Sequence, residues 1–88
     1  MPAQVFVLYF AKSAELTGVK QEEVAAVPTP ISSRDLWNLL LRRHPRLCAL
    51  QDHVVLAVRQ QYVAIGDQVL VSLVDGDEVA VVPPLSGG

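Results

Sequence analysis

The chain has a single cysteine, few charges and none of the common catalytic signatures. One thiol, Cys48, cannot form an internal disulfide, which fits a reducing compartment, and the cytosol is the expected location. Charged residues make up 18% of the 88 positions and the net charge is −2. Such a balance leaves no electrostatic footprint for nucleic acid or an anionic membrane, so neither is expected as a partner. No apolar run approaches the length of a membrane span, and Met1-Pro2-Ala3-Gln4 lacks the basic and apolar regions of a signal peptide. GxGxxG, a Walker loop, HExxH and GxSxG are all missing. The soft metal ligands are His44, Cys48 and His53, whose spacing fits no structural zinc pattern, so no metal is expected. No neighbouring sequence cue marks Cys48 as reactive, and a buried, inert thiol is the expectation. Asp75, Asp77 and Glu78 read as turn residues and a solvated strand edge, and Lys12 and Lys20 as ordinary surface lysines.

What the chain does have is apolar content, 51% of its residues, enough for one modest core in one domain. Val5 to Phe10 alternates Val5, Val7 and Tyr9 with Phe6, Leu8 and Phe10, so both faces of this strand are apolar. Residues Ala11 to Thr17 suit a short helix with Gly18 as its C-cap. Glu23 to Val27 reads as a second strand, antiparallel to the first and ended by Pro28 and Pro30. The main helix is expected over Ser32 to Arg43, with Ser32 as cap and Asp35 three residues on. Leu36, Leu39, Leu40 and Arg43 form its stripe, flanked by Trp37, a core-edge filler, and Leu41. Arg42, Arg43 and His44 complement its negative end, Pro45 stops it, and Leu47 and Leu50 extend the cover. Val54 to Val58, Tyr62-Val63, Val69 to Leu73 and Glu78 to Val82 are the remaining strands, with turns at Arg59-Gln60-Gln61, Gly66-Asp67 and Asp75-Gly76-Asp77. The expected class is α+β, a roll in which one main helix lies across a mixed sheet.

One helix cannot cover both faces of such a sheet. Apolar side chains on the far face are therefore left toward water, unless the short helix or residues 44–53 cover them. An uncovered apolar patch of this kind marks a partner site.

The stretch after the last strand is Pro83-Pro84-Leu85-Ser86-Gly87-Gly88. Two prolines cannot continue a ladder, and the small residues after them cannot pack. Either the segment is a frayed end, or it displays the carboxylate of Gly88 on a stem thin enough to thread a narrow channel in another protein. In the second reading Gly88 carries the chemistry, because nothing else in the chain resembles an active site.

Asp75-Gly76-Asp77-Glu78-Val79-Ala80 together with Pro83-Pro84-Leu85-Ser86-Gly87-Gly88 resembles the small, sulfur-carrier subunits of molybdopterin synthase, within the ubiquitin-like sulfur carriers. Val7-Leu8-Tyr9-Phe10-Ala11-Lys12 and Leu56-Ala57-Val58-Arg59-Gln60-Gln61-Tyr62-Val63 are similar too, and the likeness is strongest to the animal form. At Arg59 the chain departs from bacterial relatives, which often have Asn there. The resemblance implies a β-grasp, ubiquitin-like fold with the first and last strands parallel at the sheet centre, a domain over residues 1–83 and an extended tail over 84–88. It implies that a ubiquitin-activating-like adenylyltransferase and sulfurtransferase uses ATP to adenylate Gly88, which then becomes a thiocarboxylate. No permanently bound cofactor is implied. Pro84, Leu85, Ser86 and Gly87 would enter the large catalytic subunit, in a heterotetramer of two small and two large chains. There the sulfur would pass to the cyclic pyranopterin precursor and build the dithiolene of the molybdenum cofactor. Phe6, Leu8, Phe10 and Val82 are the expected contacts with the large subunit, bordered by Arg59, and this chain alone would not turn over. The alternatives sharing these features are a ubiquitin-like protein modifier and a sulfur carrier for thiamine or transfer-RNA thiolation.

Overall fold

The computed structural model describes residues 2–50 and 53–82. β1 (Ala3–Tyr9) leads into the six-residue helix α1 (Lys12–Thr17), and the edge strand β2 (Gln21–Val27) follows. A two-residue strand, β3 (Ile31–Ser32), precedes α2 (Ser33–Arg43) and a 3-10 helix over Pro45–Leu50. β4 (Val55–Val58), β5 (Gln61–Val63), β6 (Leu70–Val71) and β7 (Asp77–Val82) complete the chain. The main sheet has the order β2-β1-β7-β4-β5, with β3 and β6 as a separate pair. β7 occupies the centre and runs parallel to β1, from Val5 opposite Asp77 to Tyr9 opposite Val81, as expected.

The period-2 alternation of β1 and β7 sends Val5, Val7, Tyr9, Val79 and Val81 to one face, where all are buried. α2 lies on that face through Leu36, Trp37 and Leu40, and Leu47 closes it. Trp37 is deep core rather than core edge, 2% exposed, and its Nε1 has no acceptor among the described residues. Leu39 and Leu41 are only half-buried, and Arg43 leaves the stripe to pair with Glu22. Ser32 caps α2, its side chain accepting the N–H of Asp35 at 3.0 Å.

Several boundaries differ from the sequence reading. β1 starts at Ala3 and ends at Tyr9, and β2 starts at Gln21 because Gln21 and Glu22 pair with Leu8 and Val7. β3 has no sequence signal of its own, and β6 keeps only the two residues that pair with it. The rest of 69–73 bonds elsewhere: Ser33, the first residue of α2, donates its N–H to Val69 O, and Thr29 Oγ1, in the loop before β3, accepts Leu73 N–H. Ser33, fully buried, also donates from Oγ to Ala64 O at 2.7 Å and accepts Gly66 N–H at 2.8 Å. Two part-buried backbone groups of the 64–66 loop are satisfied in this way by one hydroxyl.

Two glycines carry turns. Gly18 caps α1 at φ 79 and returns its N–H to Ala14 O, and Gly76 sits at φ 90 in the turn before β7. Between β4 and β5, however, the turn residues Arg59 and Gln60 adopt φ 51 and φ 67 without being glycine. A two-residue hairpin loop with both φ positive matches the strand twist, which is the type I′ requirement.

Candidate functional site

β7 sits between β1 and β4, and its last described residue, Val82, pairs with Val55. The chain continues from this end of the sheet toward Gly88. Pro84, Leu85, Ser86, Gly87 and Gly88 lie outside the described residues, as does Pro83.

The outer face, opposite α2, carries the expected partner residues. Phe6 is 37% exposed and Phe10 49%, with Leu8 and Val82 partly buried beside them. Leu8, Phe10, Ala57, Ala80 and Val82 line a shallow groove of about 340 Å³, which Gln60, Tyr62 and Glu78 border. Neither α1 nor the 3-10 helix is among the residues lining it. Tyr62, at 76% the most exposed of the large apolar side chains among the described residues, projects from β5 opposite Ala57 and was not singled out from sequence. The hairpin register could have found it, because Ala57 and Tyr62 follow Leu8 and Ala80 outward.

Arg59 does not join this groove. Its guanidinium lies 3.1 Å from Asp77 Oδ2 and donates to Ser72 O. Asp77 is 8% exposed, shares the alternation of Val79 and Val81, and accepts Val74 N–H at 2.9 Å. The reading of Asp77 as part of a solvated strand edge is therefore corrected. β7 is central, and the carboxylate is desolvated there because a cation and a backbone donor satisfy it. Asp75 Oδ1 in turn accepts Gln4 N–H, which joins the turn to β1.

Cys48 is exposed, which corrects the expectation of a buried thiol: the 3-10 helix turns Leu47 inward and Cys48 outward. His44 and His53 are not assembled with it. His44 Nε2 lies 2.6 Å from Glu22 Oε2, and its ring meets Tyr9 edge-on at 5.4 Å. Glu22 also accepts from Tyr9 Oη at 2.5 Å and from Arg43 at 3.3 Å. Burial pushes the Glu22 carboxyl up, but hydrogen bonds from Tyr9, His44 and Arg43 prevail and hold it below the usual carboxylate range. Burial, and then the bond to Glu22, pushes the Tyr9 phenol well above its ordinary value. Among the described residues no group of three or more His, Cys, Asp or Glu could hold a metal ion, and no helix is long and apolar enough to cross a membrane.

A parallel β1/β7 pair at the centre of a mixed sheet, with one helix across it, is the β-grasp arrangement of ubiquitin-like proteins. SAMP1 from Haloferax volcanii has this fold at a TM-score of 0.76, with 26% identity over 98% of this chain and 100% of that one. A putative molybdopterin converting factor subunit 1 from Pyrococcus furiosus superposes at 0.69, with 31% identity over 94% and 99%. The ThiS family matches residues 7–88. The human molybdopterin synthase sulfur carrier subunit is 54% identical over 97% of this chain and 94% of its own length. Its counterpart in Chlamydomonas reinhardtii is 42% identical over 97% and 99%. The chain belongs to the ThiS family and groups there with the molybdopterin synthase sulfur carrier subunits.

Proposed function

We propose that this chain carries sulfur on Gly88 for molybdopterin synthesis. The observation that carries the reading is the 54% identity to a curated sulfur carrier subunit over nearly the whole of both chains. The fold supports it: a rigid central strand leads to the glycine-ended segment, and the described side chains offer no self-contained active site.

A carboxylate is a poor electrophile until one oxygen becomes a good leaving group. An adenylyltransferase supplies this by joining the Gly88 carboxylate to AMP and releasing pyrophosphate from ATP. A sulfur donor then attacks the acyl carbon, the C–O bond to AMP breaks, and a thiocarboxylate remains. This group is a competent sulfur nucleophile at neutral pH, and the domain holds it at high effective concentration in a partner's active site. In the large subunit the sulfur attacks a carbon of the pterin precursor, a C–O bond at that carbon breaks and its oxygen leaves, and water then cleaves the acyl–sulfur bond, restoring the carboxylate.

Phe6, Leu8, Phe10 and Val82, with Tyr62 added, form the surface for the large subunit in an assembly of two small and two large chains. The uncovered apolar groove supports that surface. Arg59, expected at its border, is better read as an internal tie. The protein is expected to act in the cytosol. Mass spectrometry of the chain incubated with ATP, the activating enzyme and a sulfur donor tests the reading. A gain of one sulfur for one oxygen, mapped to Gly88, is expected, and an unchanged Gly88 under conditions that thiolate the human relative contradicts it. Because SAMP1 is a small archaeal modifier protein and superposes so closely, conjugation to lysines is the second reading, and branched Gly88–lysine peptides in cells would favour it.

A further inference from the structure

The corner between β1 and α1 is tight, yet it contains no glycine. β1 ends at Tyr9, and the chain enters α1 through Phe10, Ala11, Lys12 and Ser13, with Ser13 N–H donating to Phe10 O at 3.0 Å. Ala11 stands at φ 52 and ψ −126. Those angles match the first central position of a type II′ turn, which lies outside the regions open to L-residues and is usually held by glycine. An alanine kept there costs about 1–3 kcal/mol and persists only where its surroundings over-determine it.

Ser13 supplies the hold. It is the buried residue of α1, with no exposed surface, and its Oγ–H donates to the same Phe10 carbonyl at 2.6 Å. Two donors from one residue thus fix one oxygen. The hydroxyl also has a longer contact to Val81 O, at 3.4 Å, and Phe10 N–H reaches that carbonyl at the same distance. Both contacts to Val81 are at the weak end of hydrogen bonding, so the firm anchor of the Phe10 backbone is Ser13. The Phe10 side chain, by contrast, is 49% exposed and lines the apolar groove with Leu8, Ala80 and Val82. A strained turn held from the core therefore carries an exposed aromatic beside the end of β7.

We propose that Ser13 is a positioning residue for docking on the large subunit: it clamps the strained turn from within and presets Phe10 on the partner surface, without touching the partner. The assignment rests on the reading that the outer face binds that subunit. Glycine in place of Ala11 would take the turn without strain, but it would also open other conformations and let Phe10 swing. Alanine narrows the choice, and the Ser13 hydroxyl selects one member of it. An aromatic anchor already in place loses less freedom on binding, so affinity rises without a new contact.

The test is a double-mutant cycle in large-subunit affinity, measured by calorimetry on the full chain. Ser13→Ala is expected to raise Kd roughly three- to tenfold on its own, and by less than about twofold in a Phe10→Ala background, where the residue it acts through is gone. In a Tyr62→Ala background, on β5, the same change should keep its full effect. Ser13→Cys keeps the volume and weakens the donor, so a smaller loss with the same dependence on Phe10 is expected. Melting curves set a temperature at which the variants are folded, and Ser13→Cys decides the question if Ser13→Ala does not fold. An equal loss with and without Phe10, or no loss in folded Ser13 variants, would overturn the positioning role and leave the partner surface standing. A wild-type chain that does not bind the large subunit, or a Phe10→Ala chain that binds as tightly as wild type, would overturn both.

Discussion

His44 Nε2 lies 2.6 Å from the Glu22 carboxylate, which joins the C-cap of α2 to edge strand β2. Tyr9 and Arg43 complete the same carboxylate's shell, so β1, β2 and the end of α2 meet at one charge. The Glu22 carboxyl titrates below its usual range in the fold, so the folded state binds this proton less tightly than the unfolded chain does. Its stabilisation is therefore present above the unfolded value, about 4.3, and is lost as pH falls through the lower folded value. Stability of the wild type is expected to drop on acidification below about pH 4.5, and Glu22→Gln should flatten that limb of the curve. Urea unfolding between pH 2.5 and 7 reads both. Tyr9→Phe should cost about 1.5–3 kcal/mol at neutral pH, the range of a hydrogen bond to a charged group.

The Arg59-Gln60 turn holds two side chains at positive φ, where an L-residue pays about 1–2 kcal/mol. Gln60→Gly should raise stability by up to about 1 kcal/mol, because the relief exceeds the extra chain entropy glycine brings to the unfolded state. Arg59 is a poorer target for the same change, since its guanidinium satisfies the buried Asp77. Arg59→Gly should destabilise despite the better turn. Opposite signs in thermal melts check the pair.

Ser33→Ala removes the group that both receives Gly66 N–H and donates to Ala64 O. Losing those part-buried bonds should cost about 0.5–1.5 kcal/mol. The loss should be local as well as global: amide hydrogen exchange at Gly66 is expected to quicken more than at Val79 in β7.

The two faces of the sheet predict different failures. Leu40→Ala opens a cavity in the core and should cost about 2–5 kcal/mol of stability. Phe10→Ala and Tyr62→Ala act on exposed side chains, so they should leave unfolding nearly unchanged. Each should weaken large-subunit binding by about 1–3 kcal/mol, measured by calorimetry. Unfolding by either outer-face substitution would make these residues core and leave the partner surface without support.

The elements legible in the sequence were those with strong local signals. Val5/Val7/Tyr9 alternation, the Ser32 cap with Leu36 and Leu40 behind it, and Gly18 and Gly76 each act through nearby residues, and each stands where expected. What escaped depends on contacts distant in the chain. Ile31–Ser32 becomes a strand only because Leu70–Val71 reaches it, and the burial of Asp77 requires Arg59 from the turn after the neighbouring strand β4. The turn at Arg59-Gln60 stands where expected, but its positive φ escaped because neither Arg nor Gln advertises it, and the Tyr9–Glu22–His44 shell escaped because its members belong to three elements. At the site, the apolar outer face followed from counting one main helix against two apolar sheet faces. Gly88 itself is argued from motif and family.

The central claim is that this chain is a consumed sulfur carrier rather than a catalyst. The most direct measurement mixes thiocarboxylated chain, large subunit and pterin precursor, without ATP or the activating enzyme, and counts product against carrier spent. Conversion is expected to stop at two carriers per product, because a dithiolene holds two sulfurs, and to be unaffected by Cys48→Ser or His53→Gln. Continued conversion beyond that ratio, or conversion without the large subunit, would contradict the account.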